Sequence, residues 1–184
     1  MPFTVTDFPG LLVYEPRVFE DERGHFFESF NENTFREAGI INQWVQDNQS
    51  SSSFGVIRGL HYQAAPHAQA KLVRVLRGKV LDIAVDLRKG SPTFGKAYSL
   101  VLSAKNKKQL YIPKGFAHGF AVLSKKADLL YKCDTFYNKA SEKGIRFDDP
   151  TLGIDWGVLP EEMIISEKDL LLGSFLDTEG DFNY

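Results

Sequence analysis

The chain has 184 residues, of which 43% are hydrophobic and 25% charged, and its formal net charge is −2. That length holds one domain with a sizeable core, and that charge lacks the basic footprint of a nucleic-acid binder. No apolar run reaches the roughly 20 residues that span a bilayer, the N-terminus lacks the basic and apolar regions of a signal peptide, and one cysteine, Cys133, cannot form an internal disulfide.

A cytoplasmic protein is the expectation. Fifteen Phe and seven Tyr favour sheet. Residues 11–19 read as an early strand interrupted by Pro16, which suits an edge or bend. Asp21-Glu22-Arg23-Gly24 is turn chemistry feeding a strand over 25–30, where Phe26, Glu28 and Phe30 share a face. Residues 34–38 form a short predicted helix with Asn33 as N-cap and Gly39 closing it. In the extended stretch 44–49, Gln46 and Asn48 point the same way, and the serines at 50–53 read as a turn.

The stretch 55–78 breaks the expected pattern. Residues 57–63 and 71–77 alternate as strands do. Alternation puts Arg58, Leu60 and Tyr62 on one face, Gly59, His61 and Gln63 on the other, and Lys71 with Val73 and Val75. A histidine in mid-strand and a lysine opening the next are costly inside a sheet unless partnered or used.

Further strands are predicted at 80–87, 98–102 and 110–112. Another, at 116–123, holds a second mid-strand histidine, His118. In 129–133 Leu129, Tyr131 and Cys133 share a face. Beyond Ser141 the pattern weakens. Ser166 reads as the N-cap of a short helix with Asp169 as its capping-box acid, and the tail from Asp177 reads as frayed. About nine to eleven short strands with turns between them indicate an all-β sandwich or barrel. A closed or jelly-roll barrel manages its edges best, with the polar mid-strand residues inside.

A metal site needs about three converging ligands. His61 is followed two positions on by Gln63 rather than a histidine, and His25 and His67 lie in turn or loop surroundings, so a triad of His61, His118 and a carboxylate is disfavoured. This also counts against a metal-dependent dioxygenase. Cys133 has no motif around it, and no serine sits in a nucleophile elbow. General acid–base chemistry remains. His61 would titrate near working pH and needs an orienting carboxylate, for which Asp82, Asp86, Asp169 and Glu28 all stay open. Lys71 suits a developing oxyanion and Tyr131 a proton donor. That set fits proton abstraction beside a carbonyl. A barrel that only binds a ligand would need no such acid and base.

Several long motifs carry a resemblance. They include Asp21-Glu22-Arg23-Gly24, Gln46-Asp47-Asn48, Gly55-Val56-Ile57-Arg58-Gly59-Leu60-His61-Tyr62-Gln63, Lys71-Leu72-Val73, Ser91-Pro92-Thr93-Phe94-Gly95, Ile112-Pro113-Lys114-Gly115-Phe116-Ala117-His118-Gly119-Phe120 and Tyr131-Lys132. From about residue 19 to residue 169 the chain resembles the dTDP-4-dehydrorhamnose 3,5-epimerase family, often called RmlC. The resemblance implies a cupin-like jelly roll of one epimerase domain over residues 1–184, with a core barrel over about residues 45–135 on which N-terminal strands and a C-terminal segment pack, working as a homodimer with no metal and no cofactor. It implies epimerisation at C3 and C5 of dTDP-4-dehydro-6-deoxy-D-glucose, the alternative being an epimerase of one of those positions in another deoxysugar pathway. By position His61 matches the base, Asp169 its orienting carboxylate, Tyr131 the acid and Lys71 the cation at the C4 oxygen. Arg23, Glu28, Gln46, Asp47, Asn48, Arg58, His118, Glu142 and Lys168 match substrate contacts, and Tyr137 the aromatic that stacks on thymine.

Overall fold

The computed structural model describes residues 2–178 and 180–184. Short extended segments dominate it: β1 (Phe3–Val5), β2 (Leu12–Tyr14), β3 (Val18–Asp21), β4 (Gly24–Phe27), β5 (Gln46–Ser53), β6 (Ile57–Gln63), β7 (Lys71–Arg77), β8 (Lys79–Asp86), β9 (Arg88–Lys89), β10 (Ala97–Ser103), β11 (Gln109–Ile112), β12 (Phe116–Val122), β13 (Lys126–Cys133), β14 (Glu142–Gly144) and β15 (Phe182–Asn183). Two short α-helices, α1 (Glu32–Glu37) and α2 (Glu167–Leu170), interrupt them. One sheet runs β1-β2-β11-β7-β13-β5 and the other β10-β8-β12-β6-β14. The fold is all-β and cupin-like, as expected. Closure is not found: each sheet keeps two edge strands, so the barrel is an open jelly-roll sandwich.

Alternation sorts the side chains into three apolar layers. Val73 and Val75 of β7, Val80 and Ala84 of β8, and Phe116 and Phe120 of β12 meet between the sheets. Ile57, Leu60 and Tyr62 of β6, with Ile83, Val85 and Ala121, face the other way and are covered by Ile145, Trp156 and Phe175 from the C-terminal segment. On the outer face of the first sheet, α1 lays Phe35 against Tyr14, Leu72 and Tyr111. Burying a large side chain in such layers stabilises by roughly 1.5–3 kcal/mol.

Three expectations need correction. The serines at 50–53 do not turn; they continue β5, paired residue by residue with β13 from Ser50↔Leu129 to Ser53↔Lys126. Ladder hydrogen bonds override the local preference of serine for turns. The first helix starts two residues early, because Asn31 rather than Asn33 supplies the cap and accepts from the Asn33 N–H. The tail is held, not frayed: β15 pairs in parallel with β9, and the Arg88 guanidinium lies 4.6 Å from the Phe116 ring and 5.1 Å from the Tyr184 ring.

Candidate active site

At one end of the inner layer apolar residues give way to polar ones, and a cavity of about 740 Å³ opens between the sheets. Lys71 and Tyr131 enter it from the first sheet, and His61 and His118 from the second. Lys71 opens β7, one alternation from Val73, so the face that fills the core delivers its ammonium to the cavity. Lys71 Nζ donates to the His61 carbonyl at 3.5 Å and lies 5.7 Å from the Tyr131 ring. Burial pulls its pKa down; the surrounding negative groups counter only part of that.

His61 reaches the cavity through a phase shift. β12 pairs His118 with His61 but Phe120 with Arg58, so Gly59 and Leu60 together oppose Gly119 alone. Arg58, His61 and Gln63 therefore all reach the cavity, while the side chains of Ile57, Leu60 and Tyr62 pack in the outer apolar layer. This corrects the expectation that Arg58 shares a face with Leu60 and Tyr62. Only glycine fits here: a Cβ on Gly59, at φ +117°, would stand 2.6 Å from the Gly119 Cα and 2.7 Å from the His118 carbonyl.

The structure chooses among the carboxylates. His61 Nε2 faces Asp169 Oδ1 at 2.8 Å, and Asp169 Oδ2 accepts from the Gly59 N–H at 3.3 Å. Ser166 caps α2 by accepting from the Asp169 N–H at 3.1 Å, as expected. Burial alone would raise the Asp169 pKa; the hydrogen bond and charge of His61 and the Gly59 N–H outweigh it and hold the carboxyl below its usual range. Asp82 belongs to the second histidine: both its oxygens stand 3.0 Å from His118 Nε2, and it is fully buried. Asp86 accepts from Arg88, Ser91 and Thr93. Glu28 is exposed and accepts from Asn31 Nδ2 at 3.0 Å.

Tyr131 points its ring edge-on to His118, centroids 6.4 Å apart. Burial, with help from Cys133 and Glu142, pushes its pKa up to about 12, so the phenol keeps its proton at neutral pH. Tyr137, 54% exposed, stands at the cavity mouth and donates to Glu142 Oε2 at 2.9 Å. Lys168 Nζ donates to Glu142 Oε1 at 2.8 Å. Gln46 and Asn48 face the cavity together, Gln46 Nε2 donating to Asn48 Oδ1 at 3.0 Å. Arg58 donates to Ser52 Oγ at 3.2 Å.

Three expected contacts lie outside the cavity. Arg23 sits at the tip of the β3–β4 hairpin, ion-paired with Asp21. Glu28 follows that hairpin, and Asp47 points away from Gln46 and Asn48 to meet Lys132 at 3.1 Å. Sequence reasoning overlooked Ser50, Gln69 and Ser166, which also line the cavity, and read Gln63 only as an absent metal ligand. Position relative to His61 and Asn48 was the available signal for Gln63 and Ser50, each two residues on and thus on the same face.

A family model described as dTDP-4-dehydrorhamnose 3,5-epimerase matches residues 5–177. The chain is 52% identical over 175 residues to the dTDP-4-dehydrorhamnose 3,5-epimerase of Shigella flexneri, covering 95% of this chain and 96% of the relative. It is 54% identical to the crystal structure of dTDP-4-dehydrorhamnose 3,5-epimerase from Elizabethkingia anophelis, with a TM-score of 0.91 over 95% of this chain and 96% of that one. A second similar structure is the dTDP-6-deoxy-D-glucose-3,5-epimerase of Legionella pneumophila in complex with dTDP-4-keto-L-rhamnose. It is 46% identical with a TM-score of 0.92, over 99% of this chain and 97% of that one.

Proposed function

The chain belongs to the dTDP-4-dehydrorhamnose 3,5-epimerase family, and from that premise we propose that His61 and Tyr131 invert C3 and C5 of dTDP-4-dehydro-6-deoxy-D-glucose by moving protons across its ring. The observation that carries the reading is the His61–Asp169 pair at 2.8 Å in one cavity with a buried lysine and a protonated tyrosine. His61 takes the proton from the carbon beside the C4 ketone, and the C–H electrons move onto the C4 oxygen as an enolate. Asp169 stabilises the imidazolium formed, and Lys71 faces the oxyanion in a site from which burial has removed much of the water. Tyr131 returns a proton to carbon from the other face of the sugar, inverting the centre. No electrons leave the substrate, so no redox cofactor is called on.

The rim suits the nucleotide. Arg58 and Lys168 offer positive charge to a pyrophosphate, and Tyr137 offers a face to thymine, a contact worth roughly 1–3 kcal/mol for bases on aromatics. His118, Gln46, Asn48 and Glu142, which line the cavity, are assigned to the sugar and its phosphates. Arg23 and Glu28 are read as contacts made across a homodimer: the hairpin that bears Arg23 and runs into Glu28 exposes Phe19 at 50% and Phe26 at 72%, which fits docking on a second copy of the chain. The enzyme is assigned to the cytoplasm.

Incubating the nucleotide sugar in deuterated water and counting exchanged positions by NMR tests this. Label at both C3 and C5 is expected. Label at one carbon only would replace the double epimerase with a single-position one.

A further inference from the structure

Residues 135–138, between β13 and β14, carry Tyr137 and are tied down by glutamine side chains. Gln63 ends β6 directly opposite Glu142 and is 5% exposed. Its Nε2 donates to the carbonyls of His67 at 2.7 Å and Phe136 at 3.3 Å, and its Oε1 accepts from the Asn138 N–H at 2.6 Å. Between those points, Gln46 Oε1 accepts from the Tyr137 N–H at 2.9 Å. Gln69 Nε2 donates to the Thr135 carbonyl at 2.7 Å. Each of the four residues is thus held by one carboxamide bond.

The chemistry selects glutamine. A carboxamide donates and accepts at once, whereas a carboxylate has no donor for the two carbonyls and an aliphatic side chain has neither function. A buried group left without its partner is destabilised, so the loop would move to find another. At the far end of the same loop the Tyr137 hydroxyl donates to Glu142, the residue across the ladder from Gln63. Backbone and side chain of this turn are therefore both anchored to the β6–β14 pair.

We propose that Gln63 is a positioning residue for nucleotide binding: by gripping residues 136 and 138 with both ends of its carboxamide, it holds the Tyr137 ring at the cavity mouth in the stance on which a nucleobase stacks. This deepens the function proposed above and rests on its reading of Tyr137. The clamp acts on binding and leaves proton transfer at His61 and Tyr131 untouched.

Titration calorimetry with dTDP and steady-state kinetics on Gln63→Met, Tyr137→Ala and the double variant test it, with thermal melts on each. Gln63→Met is expected to weaken dTDP binding and raise KM about tenfold, the size expected for lost buried hydrogen bonds, with kcat within about threefold of wild type. In the Tyr137→Ala background the same change should have no further effect, because the ring it positions is gone. If Gln63→Met does not fold, Gln63→Glu replaces it, since it keeps the acceptor for Asn138 and loses only the donor. Unchanged dTDP affinity, or an equal loss with and without the Tyr137 ring, overturns the clamp alone. Wild-type affinity in Tyr137→Ala overturns the stacking reading, and the clamp with it.

Discussion

Asp169→Asn tests the base most directly. The asparagine keeps the shape of the side chain, and its carbonyl oxygen still accepts from the Gly59 N–H, but the charge 2.8 Å from His61 is lost. At an effective dielectric near 20, two unit charges at that separation attract by about 6 kcal/mol. The His61 side chain is 32% exposed, so solvent screens part of this, and the imidazolium is only partly formed at the transition state. About 4 kcal/mol remains, a fall of about 10³-fold in kcat, in line with the ~10⁴-fold loss when a histidine base elsewhere loses its carboxylate. NMR of epimerisation in deuterated water reads the rate, and calorimetry reads dTDP affinity, which should stay within about threefold because the carboxylate serves the base and not the nucleotide. A rate loss smaller than about tenfold would refute the assignment of Asp169 as the group that stabilises the imidazolium.

The same carboxyl carries a pH signature. Its pKa is lowered in the folded chain, so it contributes stability above the unfolded value near 3.9 and loses that contribution as pH falls through the lower folded value; urea unfolding should show the advantage of wild type over Asp169→Asn shrinking below about pH 4. Lys71→Met should raise the melting temperature while kcat falls about 10²–10³-fold, because a buried ammonium with no ion-pair partner among the described residues destabilises the fold and serves the oxyanion. Tyr131→Phe should lower net epimerisation about 10²–10⁴-fold yet still allow proton loss at His61, seen as deuterium entering recovered substrate faster than product forms. Gly59→Ala should destabilise by about 3 kcal/mol or more, as a Cβ there meets the β12 backbone; a melting temperature equal to wild type would show that the two strands can separate at the bulge.

His61 and Lys71 were legible because each breaks an apolar alternation that the structure otherwise obeys. The bulge at Gly59 was not. A glycine has no side chain to mark a change of phase, so Arg58 was put on the wrong face of β6 until the β12 partner was known. The choice between Asp82 and Asp169 also needed tertiary structure, since spacing in the chain says nothing about which carboxylate crosses which strand. Family resemblance supplied Asp169, and the 2.8 Å contact agrees with it. The serines of β5 misled because turn preference is local while pairing to β13 is not. The C-terminal segment was expected to pack on the barrel, but its residues were not legible beyond the apolar patch at 154–156: Trp156 and Ile165 sit on irregular backbone and Phe175 opens a single short 3-10 helix, stretches too short to show a period.

One consequence follows from where Asp169 lies. It sits 108 residues beyond His61, on the same C-terminal segment that roofs the outer face of the second sheet. A chain clipped short of α2 lacks both the carboxylate that faces His61 and the Lys168 that bonds Glu142 at the cavity rim. Full turnover thus reports that the end of the polypeptide has wrapped home onto the second sheet.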